Sequence, residues 1–435
     1  MQIYYETRMK HTLPIALALA FLCGGCYYQG ATYSATSSPQ SISIKSLPDY
    51  QPDLNVTANF SSESGKNFLE AGEKGYIRVT VENAGRGKAI NLICEVTPDP
   101  APGLQYSTSL VFGDVSPGDS RSLDIPIDVS PYVKEQAVSL EINFKEDNGY
   151  EPAPIKVSFY IKPGVDTDIP QARYKNPNAV ALIISIPDYQ VPGVPKVKFA
   201  KDDAESVRQY LIKGFGFRAE NILPSDPNEV MTYGRIQTYI KSKLPSYLKP
   251  DGSSDLFIYY TGHGAPSTAN HEAYLVPSDC DPNYISDDNA YSLKQFYLDI
   301  QRLKARHKFI VVDACFSGDA GNGQSLIKDA SPALLKVNNP LIADTNTVIL
   351  QSSSADQVSN WYEDKHHGMF TYFFLKGLQG AADYNHDGTI TASELVQYIN
   401  DRNDGLPYWS NRLYHRLQEA QLQGDGQTVV ERLKK

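Results

Sequence analysis

The sequence predicts a multidomain chain: an all-β sandwich followed by an α/β domain with a mainly parallel sheet and helices on both faces. Three observations predict it. From about Leu54, short alternating runs recur between Gly, Pro and Asn turns, as in Tyr76-Ile77-Arg78-Val79-Thr80-Val81 and Val138-Ser139-Leu140-Glu141-Ile142-Asn143-Phe144, with no helical period. A Pro-punctuated stretch, residues 164–177, then interrupts the pattern. Beyond it, apolar runs with few polar interruptions alternate with helical patterns, as expected of strands buried on both faces.

The elements follow in chain order. Arg8 and Lys10 precede the apolar run Leu13–Leu22, which is too short to span a membrane, so residues 1–25 read as a secretory leader. The small residues before Cys26 resemble a bacterial lipoprotein cleavage box, with Cys23 where Leu is usual. That resemblance implies lipid on Cys26 and, with Tyr27 rather than Asp following, an outer-membrane anchor; the alternative is an ordinary export signal cut nearby. Residues 26–50, rich in Ser, Thr, Tyr and Ala, read as a flexible tether. The sandwich is expected over 51–163. Its segment Ala71-Gly72-Glu73 leads into a strand, and Glu82-Asn83-Ala84-Gly85-Arg86-Gly87-Lys88-Ala89 separates that strand from the next. This resembles the immunoglobulin-like adhesion modules of exported bacterial proteins, which implies a spacer or a surface for a protein partner.

After the 164–177 linker, residues 178–435 form the α/β domain. Strands are expected at Ala179–Ile186, Asp255–Tyr260, Lys308–Val312 and Thr347–Gln351. Helices are expected at Asp202–Lys213, Tyr233–Leu244, Leu293–Arg306, Phe370–Leu378 and Ser393–Asp401. In such sheets a site lies beyond the carboxyl ends of the strands.

The formal net charge is −10, so nucleic-acid binding has no electrostatic support and a basic peptide suits the chain better. Of five cysteines, only Cys94, Cys280 and Cys315 remain once the leader and Cys26 are set aside, an odd number that argues against a disulfide framework. Cys94, in an apolar run, reads as a buried inert thiol, and Cys280 has no assigned role.

Two polar motifs sit where the site should be. One strand runs into Thr261-Gly262-His263-Gly264, and another into Asp313-Ala314-Cys315-Phe316-Ser317-Gly318. With Phe199-Ala200-Lys201-Asp202-Asp203-Ala204, Tyr274-Leu275-Val276-Pro277-Ser278-Asp279, Ser352-Ser353-Ser354-Ala355-Asp356-Gln357 and Gly368-Met369-Phe370-Thr371, the chain resembles the caspase and metacaspase family of cysteine peptidases, the match running over about 178–402. The resemblance implies a caspase-like fold, Cys315 as nucleophile, His263 as acid and base, and the N–H groups of Gly264 and Cys315 as oxyanion donors. It also places Asp203 and Asp313 in the substrate pocket, where carboxylates would accept Arg or Lys. Against that stands a local reading, in which Asp203 starts a helix and Asp313 orients backbone.

The function expected is peptide-bond hydrolysis through an acyl-enzyme, with a peptide or protein substrate and no cofactor for the chemistry. The alternative is a catalytically silent scaffold lipoprotein. Residues 383–394 match an EF-hand calcium loop, with Asp383, Asn385, Asp387, Thr389 and Glu394 as ligands; Thr391-x-x-Glu394 is equally a helix capping box. His366-His367 reads as a surface loop rather than a metal pair. The stretch Gly318–Asn346, with Lys328 and Lys336, is a candidate for self-cleavage.

Overall fold

In the computed structural model the described residues are 50–97, 101–267, 270, 272–317, 326, 345–354 and 357–433. The leader, Cys26, nearly all of the tether, Lys328 and Lys336 lie outside them. Residues Tyr50–Lys435 form one compact unit.

Alternation makes the amino-terminal strands. In Lys74–Asn83, Ile77, Val79 and Val81 are buried while Arg78 and Glu82 face solvent, the period of two that puts every second side chain on one face. Leu54–Ser62, Lys74–Asn83, Ser120–Val129 and Leu104–Tyr106 make one sheet in that order. Phe68–Glu70, Ile155–Lys162, Gln136–Lys145, Ala89–Thr97 and Ser109–Val115 make the second. Their inner faces share one core that includes Ile77, Ile125, Leu140 and Phe159.

The second sheet system is the one the sequence anticipates. Its order is Ile222–Leu223, Val180–Ser185, Asp255–Thr261, His307–Asp313, Thr347–Gln351 and Gln421–Gln423. All pairings are parallel except the last, where Gln421–Gln423 runs antiparallel along the edge. Alternate residues feed two separate cores. Ala181, Ile183, Tyr259 and Val311 pack with Tyr210, Phe370 and Phe374, while Leu182, Ile184, Ile258 and Ile310 pack with Ile240, Phe296 and Ile300. Both faces are therefore covered by helices, which is why these strands are nearly uninterrupted apolar runs.

The helices begin close to where their sequence signals stand. Leu293–Gln301 starts behind Ser292, whose hydroxyl accepts from Gln295 N–H, and Tyr233–Thr238 starts behind Thr232, which caps Arg235 N–H. The second of these does not run on to Leu244 as an α-helix. It widens to a π-turn over Tyr239–Lys243 and resumes at Leu244–Tyr247 with Pro245 in its first turn. Proline brings no N–H and crowds the carbonyl four residues back, which is a sufficient cause of the widening. Likewise Leu293–Gln301 ends before Arg306, whose guanidinium pairs instead with the Asp255 carboxylate.

The 164–177 segment is not a free tether. Val165 and Ile169 are buried in the core that holds Tyr210 and Leu378, and Tyr210 donates its hydroxyl to the Val165 carbonyl at 2.8 Å.

Candidate active site

Parallel register brings the two motifs together. Thr261 lies opposite Asp313, so His263 and Cys315, each two residues further on, leave neighbouring strands at the same level. A Cβ on Gly264 would lie 2.6 Å from the Cys315 carbonyl oxygen and 2.7 Å from the Phe316 ring, so only glycine allows this approach. His263, Cys315, Asp203 and Asp313 line one cleft with Val197, Phe199, Trp361 and Gly368. The cleft is tight, leaving His263 5% and Cys315 7% exposed.

The segment before the first helix of this domain holds the histidine. Tyr189 packs its ring 4.9 Å from the imidazole and accepts the His263 backbone N–H at 2.7 Å, while the Tyr260 hydroxyl donates to the His263 carbonyl. His263 Nε2 lies 2.8 Å from the Pro195 carbonyl oxygen. A carbonyl only accepts, so Nε2 carries a hydrogen and, in the neutral ring, Nδ1 is the basic nitrogen. Burial lowers the imidazole to about 4, against the Pro195 carbonyl, which favours the cation. The ring is then neutral at pH 7, as a base must be. Cys315 Sγ lies 2.8 Å from the Ser317 hydroxyl and donates to the Gln357 carbonyl at 3.5 Å.

Asp203 and Asp313 meet over Gly368. A Cβ there would lie 2.7 Å from Asp313 Oδ2 and 3.1 Å from Asp203 Oδ2. Asp313 accepts from Thr371 Oγ1 at 2.7 Å, and its carboxyl is pushed up to about 7 by burial and then by the Asp203 charge. Burial also favours the neutral acid at Asp203, opposed by donors from His367 and the Gly368 N–H. His367 Nδ1 stands 2.7 Å from Asp203 Oδ1, and Nε2 stands 3.1 Å from Asp166 Oδ2.

Residues 178–415 match the caspase domain family. The chain belongs to the caspase family. That segment therefore carries a cysteine-peptidase fold, of a family whose substrates are proteins. Among solved structures, this caspase-family chain is similar to caspase-1 from Spodoptera frugiperda, at 13% identity over 57% of this chain and 87% of that one, with a TM-score of 0.38. The structure described as pro-sf-caspase-1 is 13% identical over 60% of this chain and 92% of its own, with a TM-score of 0.33. A CARDB domain from Pyrococcus furiosus is 13% identical over 25% of this chain and 88% of its own, at a TM-score of 0.20. No curated protein matches the chain.

The caspase-fold domain departs from expectation at His367. His367 is not on a surface loop: it is 1% exposed and lies between two carboxylates, whereas His366 turns outward in a left-handed conformation. The side chains expected as calcium ligands bond the loop's own backbone and the next helix. Asp383 accepts the N–H groups of Asp387 and Gly388, Asn385 accepts from Asp387 N–H, and Asp387 accepts from Thr389 N–H. Glu394 takes the Thr391 N–H and hydroxyl, completing the capping box. No three His, Cys, Asp or Glu side chains among the described residues form a metal-holding group. The loop is held by hydrogen bonds to its own backbone.

Sequence reasoning missed Tyr189, Pro195, Ser317 and Asp166. Pro195 contributes only a backbone carbonyl, which carries no side-chain signal. Asp166 sits in what reads as linker.

Proposed function

We propose that the chain is a cysteine endopeptidase that cleaves peptide bonds after Arg or Lys. The observation that supports this best is the single cleft lined by Cys315, His263, Asp203 and Asp313. His263 Nδ1 takes the proton of the Cys315 thiol, and the thiolate adds to the scissile carbonyl carbon. The oxyanion that forms is held by the N–H groups of Gly264 and Cys315. His263 returns its proton to the departing amine, leaving a thioester on Cys315. Water then gives a proton to His263 and adds its oxygen to the thioester carbon, releasing the acid and restoring the thiol.

Tyr189 and Pro195 keep the imidazole in one orientation and one tautomer through these transfers. Asp203 and Asp313 complement a guanidinium or ammonium entering the cleft that they line with Gly368.

The leader and Cys26 extend the reading to an exported lipoprotein of the cell envelope, anchored in the outer membrane. The amino-terminal strands then form an immunoglobulin-like module serving as spacer or partner surface.

The test is a peptide library with Cys315→Ala and His263→Ala as controls. Cleavage after Arg or Lys, lost in both variants, together with a thiol probe that labels Cys315 ahead of Cys94 and Cys280, supports the proposal. Normal turnover by Cys315→Ala refutes the dyad, and a preference for Asp at the cleaved position refutes the pocket.

A further inference from the structure

One buried cluster near the cleft takes no part in the steps above. His367 has both ring nitrogens on carboxylates, Nδ1 on Asp203 at 2.7 Å and Nε2 on Asp166 at 3.1 Å. A carboxylate only accepts, so both nitrogens donate, and the ring that satisfies both partners is the imidazolium. The side chains of His367 and Asp203 are 1% and 2% exposed, and Asp166 is 22% exposed.

Asp166 is itself fixed by the Ser206 hydroxyl from the same helix that carries Asp203. It lies outside the matched family segment, twelve residues before its start, in the stretch between the strand-rich region and the α/β domain. The geometry is a chain of three links from that stretch to the cleft: Asp166 to His367, His367 to Asp203, and Asp203 to the cleft that it lines with Asp313 and Gly368.

The charges explain why such a chain is useful. Two carboxylates over one glycine in a dry site repel, and without a nearby cation one of them takes a proton. A fixed imidazolium on Asp203 Oδ1 offsets part of that repulsion. Asp203 accepts the Gly368 N–H as well, at 3.1 Å from Oδ2, so its plane is set by two donors. Its orientation then depends on where His367 stands. Asp166 holds the other ring nitrogen, and the Tyr372 ring packs at 6.4 Å from the imidazole.

We propose that Asp166, acting through His367, is a positioning residue of the basic-residue pocket: it holds the ring that holds Asp203 toward the substrate. The proposal rests on the reading of Asp203 and Asp313 as that pocket. Residues outside the caspase segment thereby set the affinity for an Arg or Lys side chain without touching it.

The experiment uses the full chain and peptide substrates ending in Arg, in Lys or in an uncharged residue at the cleaved position. Asp166→Asn is expected to raise KM for the basic substrates roughly tenfold, the scale of turning one buried charge-assisted hydrogen bond into a neutral one. It should change kcat less than KM, and leave KM for the uncharged substrate as it was. Asp166→Glu, which keeps the charge, should recover part of the loss. If wild type shows no basic preference, the pocket reading has failed. If wild type shows the preference and Asp166→Asn keeps it with unchanged KM, the positioning role has failed while the pocket stands. A measurement on the wild-type chain covers the case of a variant that does not fold. In histidine-labelled protein at pH 8, nitrogen shifts should show His367 protonated on both ring nitrogens, and a neutral ring would overturn the proposal.

Discussion

Replacing Asp313 by Asn should stabilise the protein above neutral pH while abolishing tight binding of basic substrates. Asp313 is 8% exposed, and its carboxyl is raised from 3.8 to about 7, by burial first and by Asp203 next. The sign follows from linkage. Between those values the folded chain keeps a proton that the unfolded chain releases, so stability falls as pH rises through the window and levels off above about 7. The full penalty is on the order of 4 kcal/mol at 1.36 kcal/mol for each factor of ten in acidity. Asn has the same shape, and its carbonyl oxygen still accepts from Thr371 Oγ1, so packing is preserved. Stability in denaturant, compared for the two chains at pH 4 and at pH 8, reads this group together with its coupling to Asp203. The difference in stability is expected to be near zero at pH 4 and to grow to several kcal/mol in favour of the variant at pH 8. A pH-independent difference, or a variant less stable at pH 8, would refute the assignment of a strained acid at this position.

Two further outcomes follow from contacts in the cleft and from the leader. Gly368→Ala puts a methyl group 2.7 Å from Asp313 Oδ2 in a backbone conformation that any residue adopts, so the fault is steric alone. Stability should drop by about 1–3 kcal/mol and kcat/KM for Arg substrates by more than tenfold; turnover within twofold of wild type would show that the pocket lies elsewhere. Expressed in cells fed a clickable palmitate analogue, the chain should take up label that Cys26→Ser abolishes, and equal labelling of the two would remove the lipoprotein reading.

The parts of the fold that sequence made legible are those whose signal is local. Val180–Ser185, Asp255–Thr261, His307–Asp313 and Thr347–Gln351 are each apolar runs bounded by polar or turn residues, and each falls within a residue or two of its expected span. That the His263 and Cys315 motifs meet was legible for the same reason, since both continue such strands and adjacent parallel strands end together. What sequence could not give is pairing at a distance. His367 reaches Asp203 across 164 positions and Asp166 across 201, and two adjacent histidines in a polar stretch look like surface. In residues 383–394 calcium-loop spacing and local hydrogen bonding coincide: the same carboxylates serve the backbone of their own turn and the cap of the next helix.

The boundary between the strand-rich region and the caspase domain illustrates why domain edges are hard to read when chemistry crosses them. Lys365 is 5% exposed, and its ammonium donates to the Ala71 carbonyl at 2.8 Å and lies 3.8 Å from Glu70 Oε2. Glu70 also receives the Tyr372 hydroxyl and has Lys66 and Lys376 within 4 Å. Against the burial that favours its neutral form, these cations hold its carboxyl down to about 2. Without Glu70 and Ala71 the Lys365 ammonium would be an uncompensated buried charge, a defect worth several kcal/mol. Lys365 belongs to the turn that delivers His367 and Gly368 to the cleft, between the paired strands Trp361–Tyr362 and His367–Gly368. The cleft's wall is thus held from behind by Glu70 and Ala71 and from the side by Asp166, all of them ahead of residue 178. The strand-rich region is thus packed against the caspase-fold domain through charged and buried contacts, and the segment 164–177 between them is itself partly buried.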